Sequence, residues 1–183
     1  ACGWHNDWMP ALLAFRGHRF NPKIVGPLDR VVTQPYDKIS DTLRQDYLDR
    51  SPFNVAHLIV NSDYRAAAGK LDEWMRLGAL RRDDPPCLYA YRQFYTWENQ
   101  PFERTGVIGL VPIQEAAGEV RGHEKTMSVP LLDRLQLLRS TETNDGLIFA
   151  LYREPSRRTD LLLEGVVEAR PPDLDVEDDS GFR

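Results

Sequence analysis

The stretch CLYAYRQFYTWENQPFERTGVIGLVPI, residues 87–113, decides the fold of this chain. Residues 87–97 alternate in polarity and are rich in Tyr and Phe, and residues 104–113 continue the pattern. Residues 98–101, Glu-Asn-Gln-Pro, supply a turn between the two runs. Two alternating runs that flank turn residues are typical of a β-hairpin. The sequence therefore predicts two antiparallel strands in the middle of the chain.

Strands and helices are also predicted before the hairpin. Residues 11–20 and 53–60 have the apolar pattern of strands. A helix is predicted to begin after Ser40, a good N-cap, and a longer one is predicted between Ser62 and Gly78. The loop through Pro35 is expected to be extended, because a proline disfavours helical geometry in the residue before it.

The region after the hairpin is predicted to contain two helices and a strand. Residues 129–140 are expected to be helical, with four leucines on the buried face: Leu131, Leu132, Leu135 and Leu138. A strand is predicted over residues 147–152 and a last helix over residues 159–168. Because helices and strands do not alternate strictly, the predicted class is α+β, with a mixed, largely antiparallel sheet and several packed helices.

Composition indicates a globular protein with a mild negative charge. The chain has 183 residues, with 23 Lys and Arg against 28 Asp and Glu, and a net charge of -5. That balance lacks the positive surface that attracts nucleic acid. No stretch is long and apolar enough to span a membrane, and no signal peptide is visible, so a cytoplasmic location is expected.

The predicted organisation has three parts. Residues 1–10 form an unstructured leader, residues 11–170 form the α+β domain, and residues 171–183 form an acidic tail that opens a further, truncated segment. The acidic tail faintly resembles a calcium loop, but it lacks the glycine and the final glutamate at the required positions. We therefore predict no metal site in this tail.

The run Arg-Gly-His-Glu-Lys-Thr, residues 121–126, is the first candidate for chemistry. It precedes a predicted helix, where backbone N–H groups and the helix dipole can hold an anion. His123 and Glu124 can move protons near neutral pH, and Lys125 and Thr126 can bind phosphate oxygens. A charged surface turn explains the same residues without a ligand. The run has neither a Walker pattern nor the His-Glu-x-x-His of a zinc peptidase, so no metal ligands are predicted.

Three further pairs of residues are candidates for ligand binding. Arg134 and Arg139 continue the basic character along the following helix, although Asp133 and Glu142 could equally be their surface partners. Tyr36 and Asp37 follow a fixed proline turn and could line the rim of a pocket, or Asp37 could simply be a turn residue. Arg92 and Gln93 stand among aromatic residues in the hairpin, where cross-strand pairing also explains them.

Ordered motifs along the chain resemble the family called domain of unknown function 1015. The motifs are Phe15-Arg16-Gly17, Pro35-Tyr36-Asp37-Lys38-Ile39-Ser40, Ser51-Pro52-Phe53-Asn54, Tyr91-Arg92-Gln93, Arg104-Thr105-Gly106, His123-Glu124-Lys125-Thr126 and the run from Asp133 to Arg139. Their order and spacing agree from about residue 12 to the C-terminus. Each motif is weak alone, but the ordered set is specific, and the chain is identified as an N-terminal part of a member.

The resemblance implies a fold and an activity. Members look similar to the ParB and sulfiredoxin-type fold, which includes nucleotide-using kinases of free serine, and their second half carries a Gly-His-His-Arg-type loop that this chain lacks. The resemblance therefore implies a phosphotransferase that acts on a small hydroxyl substrate such as serine, with ATP or ADP and Mg²⁺ as cofactors. Under it, His123 or Glu124 would transfer the proton, and Lys125, Thr126 and Arg134 would bind phosphate.

Other functions stay open at this point. The chain could be a ligand- or partner-binding module, a degenerate fragment without catalysis of its own, or a phosphatase. The expected partners are a small phosphate or amino-acid ligand, together with the missing C-terminal half or a second copy in a homodimer. Neither a membrane nor nucleic acid is expected.

Overall fold

The computed structural model describes residues 11–112, 120, 122 and 127–183. Within these ranges the helices are α1 (Pro22–Val25), α2 (Asp41–Arg50), α3 (Ala56–Ile59), α4 (Tyr64–Arg76), α5 (Ser128–Thr141) and α6 (Arg158–Ala169). The strands are β1 (His18–Phe20), β2 (Leu80–Arg82), β3 (Tyr89–Trp97) and β4 (Gln100–Ile108), and short 3₁₀ turns lie at Leu28–Arg30 and Tyr36–Lys38. The α+β class is confirmed, with two small antiparallel sheets. None of the described helices combines the length and the apolar character that crossing a membrane requires.

The predicted hairpin is present as the antiparallel pair β3 and β4. Its register runs from Tyr89 opposite Ile108 to Trp97 opposite Gln100. Glu98 and Asn99 connect the strands, and both have positive φ angles, of 49° and 60°. Two consecutive left-handed residues match the twist of a tight hairpin, and Asn tolerates this conformation well. The turn therefore has two residues rather than the four that were predicted.

The N-terminal segment packs along the hairpin. Leu13 and Leu110 exchange two backbone hydrogen bonds of 2.8 and 2.9 Å, and Phe15 and Cys87 exchange two of 3.0 and 2.9 Å. After these contacts the chain forms β1, which pairs with β2 in an antiparallel register. The predicted strand over residues 11–20 is thus shortened to two isolated bridges and three strand residues.

A polar cluster ties the two sheets together at Asp83. The Arg19 guanidinium donates two hydrogen bonds, of 2.7 and 2.8 Å, to the two carboxylate oxygens of Asp83. The Tyr89 hydroxyl donates to Asp83 Oδ2 at 2.8 Å and accepts from the Gly17 backbone N–H at 2.7 Å. A Cβ atom on Gly17 would lie 2.7 Å from that hydroxyl, so only glycine allows this approach. Burial, together with the hydrogen bonds that Tyr89 makes with Cys87 and Asp83, raises the pKa of Tyr89 to about 12.

The main hydrophobic core lies among α1, α3, α4 and the strands β1 and β2. Its buried members are Val25, Val31, Leu58, Leu71, Trp74 and Ala79. Trp74 is 1% exposed, and its indole N–H donates to the Pro52 carbonyl at 3.2 Å. Phe20 and Phe53 pack against the indole ring with centroid distances of 5.8 and 6.2 Å.

The strand predicted over residues 53–60 is wrong, because this stretch forms a turn and α3. The reason is Asn54, which is fully buried. Its amide donates to the carbonyls of Arg30 and Val32, while its Oδ1 accepts from the Ala56 N–H at 2.9 Å. A side chain that satisfies a backbone N–H two residues ahead favours a turn or a helix start over a strand.

The predicted boundaries of α2 and α4 hold with small changes. Ser40 caps α2 by accepting from the Leu43 N–H at 3.3 Å, as predicted. The cap of α4 is Asp63 rather than Ser62, since the Asp63 carboxylate accepts from two N–H groups of the first turn. Gly78 follows α4 with a φ of 71°, the left-handed conformation that commonly ends a helix.

The buried face predicted for α5 is wrong, although the helix itself is confirmed. Leu132 is 57% exposed, Leu131 and Leu138 are also exposed, and the side chain that the fold buries is Leu137, at 1%. The helix is therefore rotated so that a different stripe, which includes Asp133 and Arg134, faces α4. The contacts that cause this rotation belong to the candidate site below.

Residues 147–152 do not form the predicted strand. Among the residues that the structure describes, this stretch takes part in neither a helix nor a strand. The helix α6 then begins one residue before the predicted position. The Glu154 carboxylate accepts from the Thr159 N–H at 2.9 Å near the start of α6.

The acidic tail contacts the rest of the chain at several places, among them β3 and α2. Arg183 exchanges two backbone hydrogen bonds with Phe94 of β3, at 2.7 and 3.1 Å. Asp179 forms an ion pair with Arg50 of α2 at 2.8 Å. The division into a leader, a domain and a tail stays a prediction, and the leader lies outside the described residues.

We expect Trp74→Ala to lower the free energy of unfolding by about 3–5 kcal/mol, because it removes a large buried side chain and leaves a cavity. Trp97→Ala is the matched control, since Trp97 is 64% exposed at the hairpin turn. Urea unfolding monitored by circular dichroism measures both variants. Equal losses for the two variants would contradict the position assigned to this core.

Candidate functional site

The candidate site is centred on Arg134, which lies on α5 and reaches three other parts of the fold. Its guanidinium donates to the Ile59 carbonyl at the end of α3, at 2.7 Å. Its Nε donates to Asp133 Oδ2 at 2.9 Å, and Nη2 binds the same oxygen. The guanidinium carbon also lies 4.3 Å from the centroid of the Tyr36 ring, within the range of a cation–π contact. Two of the residues singled out in the sequence, Tyr36 and Arg134, are thus brought together.

Asp133 joins the same cluster to α4. The Tyr64 hydroxyl, in the first turn of α4, donates to Asp133 Oδ1 at 2.7 Å. Burial alone would raise the pKa of Asp133, but the hydrogen bonds from Tyr64 and Arg134 outweigh it and hold the pKa below its usual range. The hydrogen bond to Asp133 in turn raises the pKa of Tyr64.

These contacts explain why α5 turns its leucines outward. Asp133 and Arg134 together satisfy a hydroxyl on α4 and a carbonyl at the end of α3, and Leu137, one turn later on the same side, fills the remaining space. Hydrogen bonds to charged groups contribute roughly 1.5–3 kcal/mol each, which is comparable with burying one leucine. The polar contacts and Leu137 therefore decide the orientation of the helix against the larger number of leucines.

Asp145 is a titratable group near Arg134 that the sequence reasoning missed. Its Oδ2 lies 4.0 Å from Nη1 of Arg134, which is too long for a hydrogen bond. The carboxylate is only 19% exposed, and burial raises its pKa above the usual value. A half-buried carboxyl with a raised pKa beside a cation is a typical candidate for a functional residue. Asp145 lies in the run Thr-Asn-Asp-Gly, residues 143–146, whose composition is typical of an ordinary turn. Nothing in the sequence therefore indicated that this residue belongs to a site.

The position of Tyr36 follows from the proline before it. Pro35 has a φ of -51° and an extended ψ of 141°, and its carbonyl accepts from the Lys38 N–H at 2.9 Å to close the 3₁₀ turn. The Gln34 N–H donates to the buried Tyr47 hydroxyl at 3.3 Å, which attaches the loop to α2. The loop thereby holds the Tyr36 ring against the guanidinium.

The loop predicted to carry the chemistry cannot be placed in this geometry. His123, Glu124, Lys125 and Thr126 lie outside the described residues, so their roles stay predictions. What is described is the helix that they precede. Its N-cap, Met127, makes no side-chain hydrogen bond to the first turn of α5.

The other predicted site residues lie in separate surroundings. Asp37 is exposed in the same turn as Tyr36, and Arg139 is exposed on α5. On the hairpin, Arg92 donates to Glu103 at 2.7 Å and Gln93 accepts from Arg104 at 2.7 Å. Both contacts join the two strands of the hairpin, as expected if Arg92 and Gln93 serve cross-strand pairing. Their role in ligand binding stays a prediction.

The fold and the cluster define an α+β protein with a charged, half-buried site between a proline turn and a helix. A scan against protein-family models matches residues 12–183 to the family described as "Protein of unknown function (DUF1015)". Because this match covers most of the chain, the chain belongs to the DUF1015 family. Neither the search of curated proteins nor the search of solved structures gave a match.

We expect Asp145→Asn to stabilise the protein at neutral pH relative to the parent chain. Burial raises the folded-state pKa of Asp145, so its ionisation costs more in the folded than in the unfolded protein. The parent chain therefore loses stability as the pH rises from the unfolded pKa of about 4 through the folded pKa. The Asn side chain does not ionise, so the advantage of the variant should grow from pH 3 to pH 7.

Urea unfolding at a series of pH values measures this effect. Asp46→Asn is the control for the loss of one carboxylate, because Asp46 is exposed on α2. An advantage of Asp145→Asn that shrinks as the pH rises would show that this carboxylate is stabilised by its surroundings instead.

Proposed function

We propose that this chain provides a binding site for a small phosphate-bearing ligand, formed by Arg134, Tyr36 and the loop of residues 121–126. The observation that carries the proposal is the arrangement of the Arg134 guanidinium. Nε and Nη2 are fixed by Asp133 and Ile59, whereas Nη1 lies 4.0 Å from the Asp145 carboxylate. The Nη1 donors can therefore bind a ligand oxygen without breaking the contacts that hold the side chain.

A fixed guanidinium suits phosphate. Arginine presents planar N–H donors that match phosphate oxygens, and prior fixation reduces the entropy lost on binding. The ring of Tyr36 holds the plane of these donors. The site thus has orientation as well as charge, which distinguishes it from an arginine that is free in solvent.

The start of α5 adds a second source of attraction for an anion. The first backbone N–H groups of a helix have no partner within the helix, and the dipole favours negative charge there. Arg134 follows Ser128 by six positions, a rise of about 9 Å along the helix axis, and long side chains on helices lean toward the N-terminus. A ligand of the size of a nucleotide or a phosphoamino acid spans this distance.

The reaction class that we propose is phosphoryl transfer to a small hydroxyl compound such as serine, with ATP or ADP and Mg²⁺. In this proposal His123 or Glu124 accepts the hydroxyl proton, Lys125 and Thr126 bind phosphate oxygens, and Asp37 lines the rim. Phosphoryl transfer depends mainly on positioning and charge neutralisation, which this set of residues can supply. A relation to the ParB and sulfiredoxin-type kinases belongs to this proposal as well.

A binding module without chemistry of its own is the second candidate. The residues of the site that the structure describes favour this candidate, because Arg134 and Tyr36 are groups suited to holding a ligand. The two proposed functions share one site and differ only in whether residues 123 and 124 act on the ligand.

Binding is tested by isothermal titration with inorganic phosphate, phosphoserine and ATP with Mg²⁺. We expect at least one of them to bind, and Arg134→Lys to weaken that binding by about tenfold, because a lysine keeps the charge but loses the fixed fork of donors. Arg76→Lys is the matched control, because Arg76 is exposed on α4, and it should leave the affinity unchanged. The absence of binding by a chain that unfolds cooperatively would overturn the proposal.

Transfer is tested on the same protein with ATP, Mg²⁺ and serine, by mass detection of phosphoserine. We expect His123→Ala or Glu124→Gln to lower the transfer rate by at least about a hundredfold while ligand affinity stays within about twofold. Binding without any transfer by the parent chain would leave the binding module as the function. A change in affinity that equals the change in rate would argue that these residues bind the ligand rather than move a proton.

A further inference from the structure

The carboxyl group of Asp145 lies beside the nitrogen of Arg134 that the proposed function assigns to a ligand oxygen. Asp145 Oδ2 is 4.0 Å from Nη1, and the Asp145 side chain is only 19% exposed. The guanidinium is held in place by its hydrogen bonds to Asp133 and to the Ile59 carbonyl. An anion that binds Nη1 therefore lies close to a carboxyl group that has little access to solvent.

The distance between the carboxyl group and a bound anion is limited by the nitrogen that they share. A charge-assisted hydrogen bond places a phosphate oxygen about 2.8 Å from Nη1. Because Asp145 Oδ2 is 4.0 Å from the same nitrogen, the two oxygens are then separated by no more than roughly 7 Å. Two negative charges this close and partly removed from water repel each other, and the repulsion favours protonation of the carboxylate.

The surroundings of Asp145 already act against its ionisation before any ligand binds. Burial is the largest cause and raises the pKa of Asp145 above its usual value. Among the described residues, the charged groups that act on it are Asp133, which raises the pKa further, and Arg134, which lowers it. Asp133 keeps its own charge more easily, because it accepts hydrogen bonds from Tyr64 of α4 and from Arg134. Asp145 is thus the carboxyl group of the cluster that takes up a proton more readily.

We propose that Asp145 takes up a proton from solvent when an anion binds Nη1 of Arg134, and that the protonated carboxyl group then donates a hydrogen bond to the anion. An ionised carboxylate only accepts hydrogen bonds, whereas its protonated form has one O–H donor. Protonation therefore converts a group that repels the ligand into one that binds it. This role of Asp145 rests on the proposed function, since it requires an anion site at Arg134.

Proton uptake makes the affinity for an anion depend on pH. A bound anion raises the pKa of Asp145, so by thermodynamic linkage protonation of Asp145 strengthens anion binding. At low pH the carboxyl group is neutral with and without ligand, and the anion meets no opposing charge. As the pH rises past the pKa of Asp145 in the free protein, binding must bring a proton with it, and the affinity falls. Asp145 thus makes the site selective for conditions in which a proton is available.

Isothermal titration with inorganic phosphate between pH 5 and pH 8 tests this role. Phosphate is the probe because it carries no cationic group that could pair with Asp145. Asp145→Asn keeps the shape and a hydrogen-bond donor but does not ionise. We expect the ratio of its affinity to that of the parent chain to grow by about tenfold as the pH rises over this range. The ionisation of phosphate itself is common to both chains and cancels in the ratio. Asp46→Asn, on the exposed side of α2, should give a ratio near one throughout.

Titration in two buffers with different ionisation enthalpies counts the protons that accompany binding. The parent should take up more protons per phosphate than Asp145→Asn, and Asp145→Ala, which lacks the donor, should bind phosphate more weakly than Asp145→Asn. Phosphate binding with a constant affinity ratio and equal proton uptake would overturn the role of Asp145 and leave the proposed function standing. Absence of phosphate binding to both chains would also overturn it, and the titrations with phosphoserine and ATP then decide separately on the proposed function. Thermal unfolding of each variant verifies that the fold is retained.

Discussion

The orientation of α5 depends on two adjacent charged residues, and much else depends on that orientation. Asp133 accepts from Tyr64 of α4, and Arg134 donates to the Ile59 carbonyl at the end of α3. Because both side chains must reach inward, the helix can bury only one of its large leucines, Leu137, completely. The same rotation builds the Arg134 cluster on one side and exposes an apolar surface on the other. The candidate site and the exposed leucines of α5 therefore have a common physical cause.

Within the site, one of the two carboxylates near Arg134 is closely paired and the other is not. Asp133 pairs closely with Arg134, and Tyr64 further stabilises its ionised form, so this pair is a structural element of the fold. Asp145 is different, because burial raises its pKa and the nearest cation is 4.0 Å away. A protein tolerates such a carboxyl at a cost in stability, and that cost is commonly found where a group serves binding or catalysis. The two carboxyls near one arginine thus occupy environments that push their pKa values in opposite directions.

Features set by local sequence were predicted well. The hairpin followed from alternation and turn residues, the start of α2 from Ser40 and the end of α4 from Gly78, because each rests on short-range hydrogen bonds or backbone geometry. The strand predicted over residues 53–60 was wrong because the buried Asn54 makes hydrogen bonds to Arg30 and Val32, more than twenty residues away in the chain. Long-range hydrogen bonds of this kind produce no periodic pattern in the sequence, so sequence analysis does not detect them.

The candidate site was predicted only in part for the same reason. Tyr36 and Arg134 were selected from the sequence, but their contact depends on how the proline turn and α5 pack together. Nothing in the sequence indicated three other members of the site, Tyr64, Asp145 and the Ile59 carbonyl. A tyrosine at a helix start, an aspartate in a turn and a backbone oxygen are each common and do not by themselves indicate a site. The face of α5 was mispredicted because counting leucines assigns no weight to paired polar groups that reach another helix.

Ile59 belongs to two parts of the molecule at once. Its side chain packs against the core that contains Trp74, and its carbonyl receives the Arg134 hydrogen bond. A shift of the α3 backbone would therefore move the guanidinium relative to Tyr36. Replacements in this part of the core are consequently constrained twice during evolution, once by packing and once by the position of the arginine. Relatives that change the residues around Ile59 are expected to carry compensating changes in α5 or in the Pro35 loop.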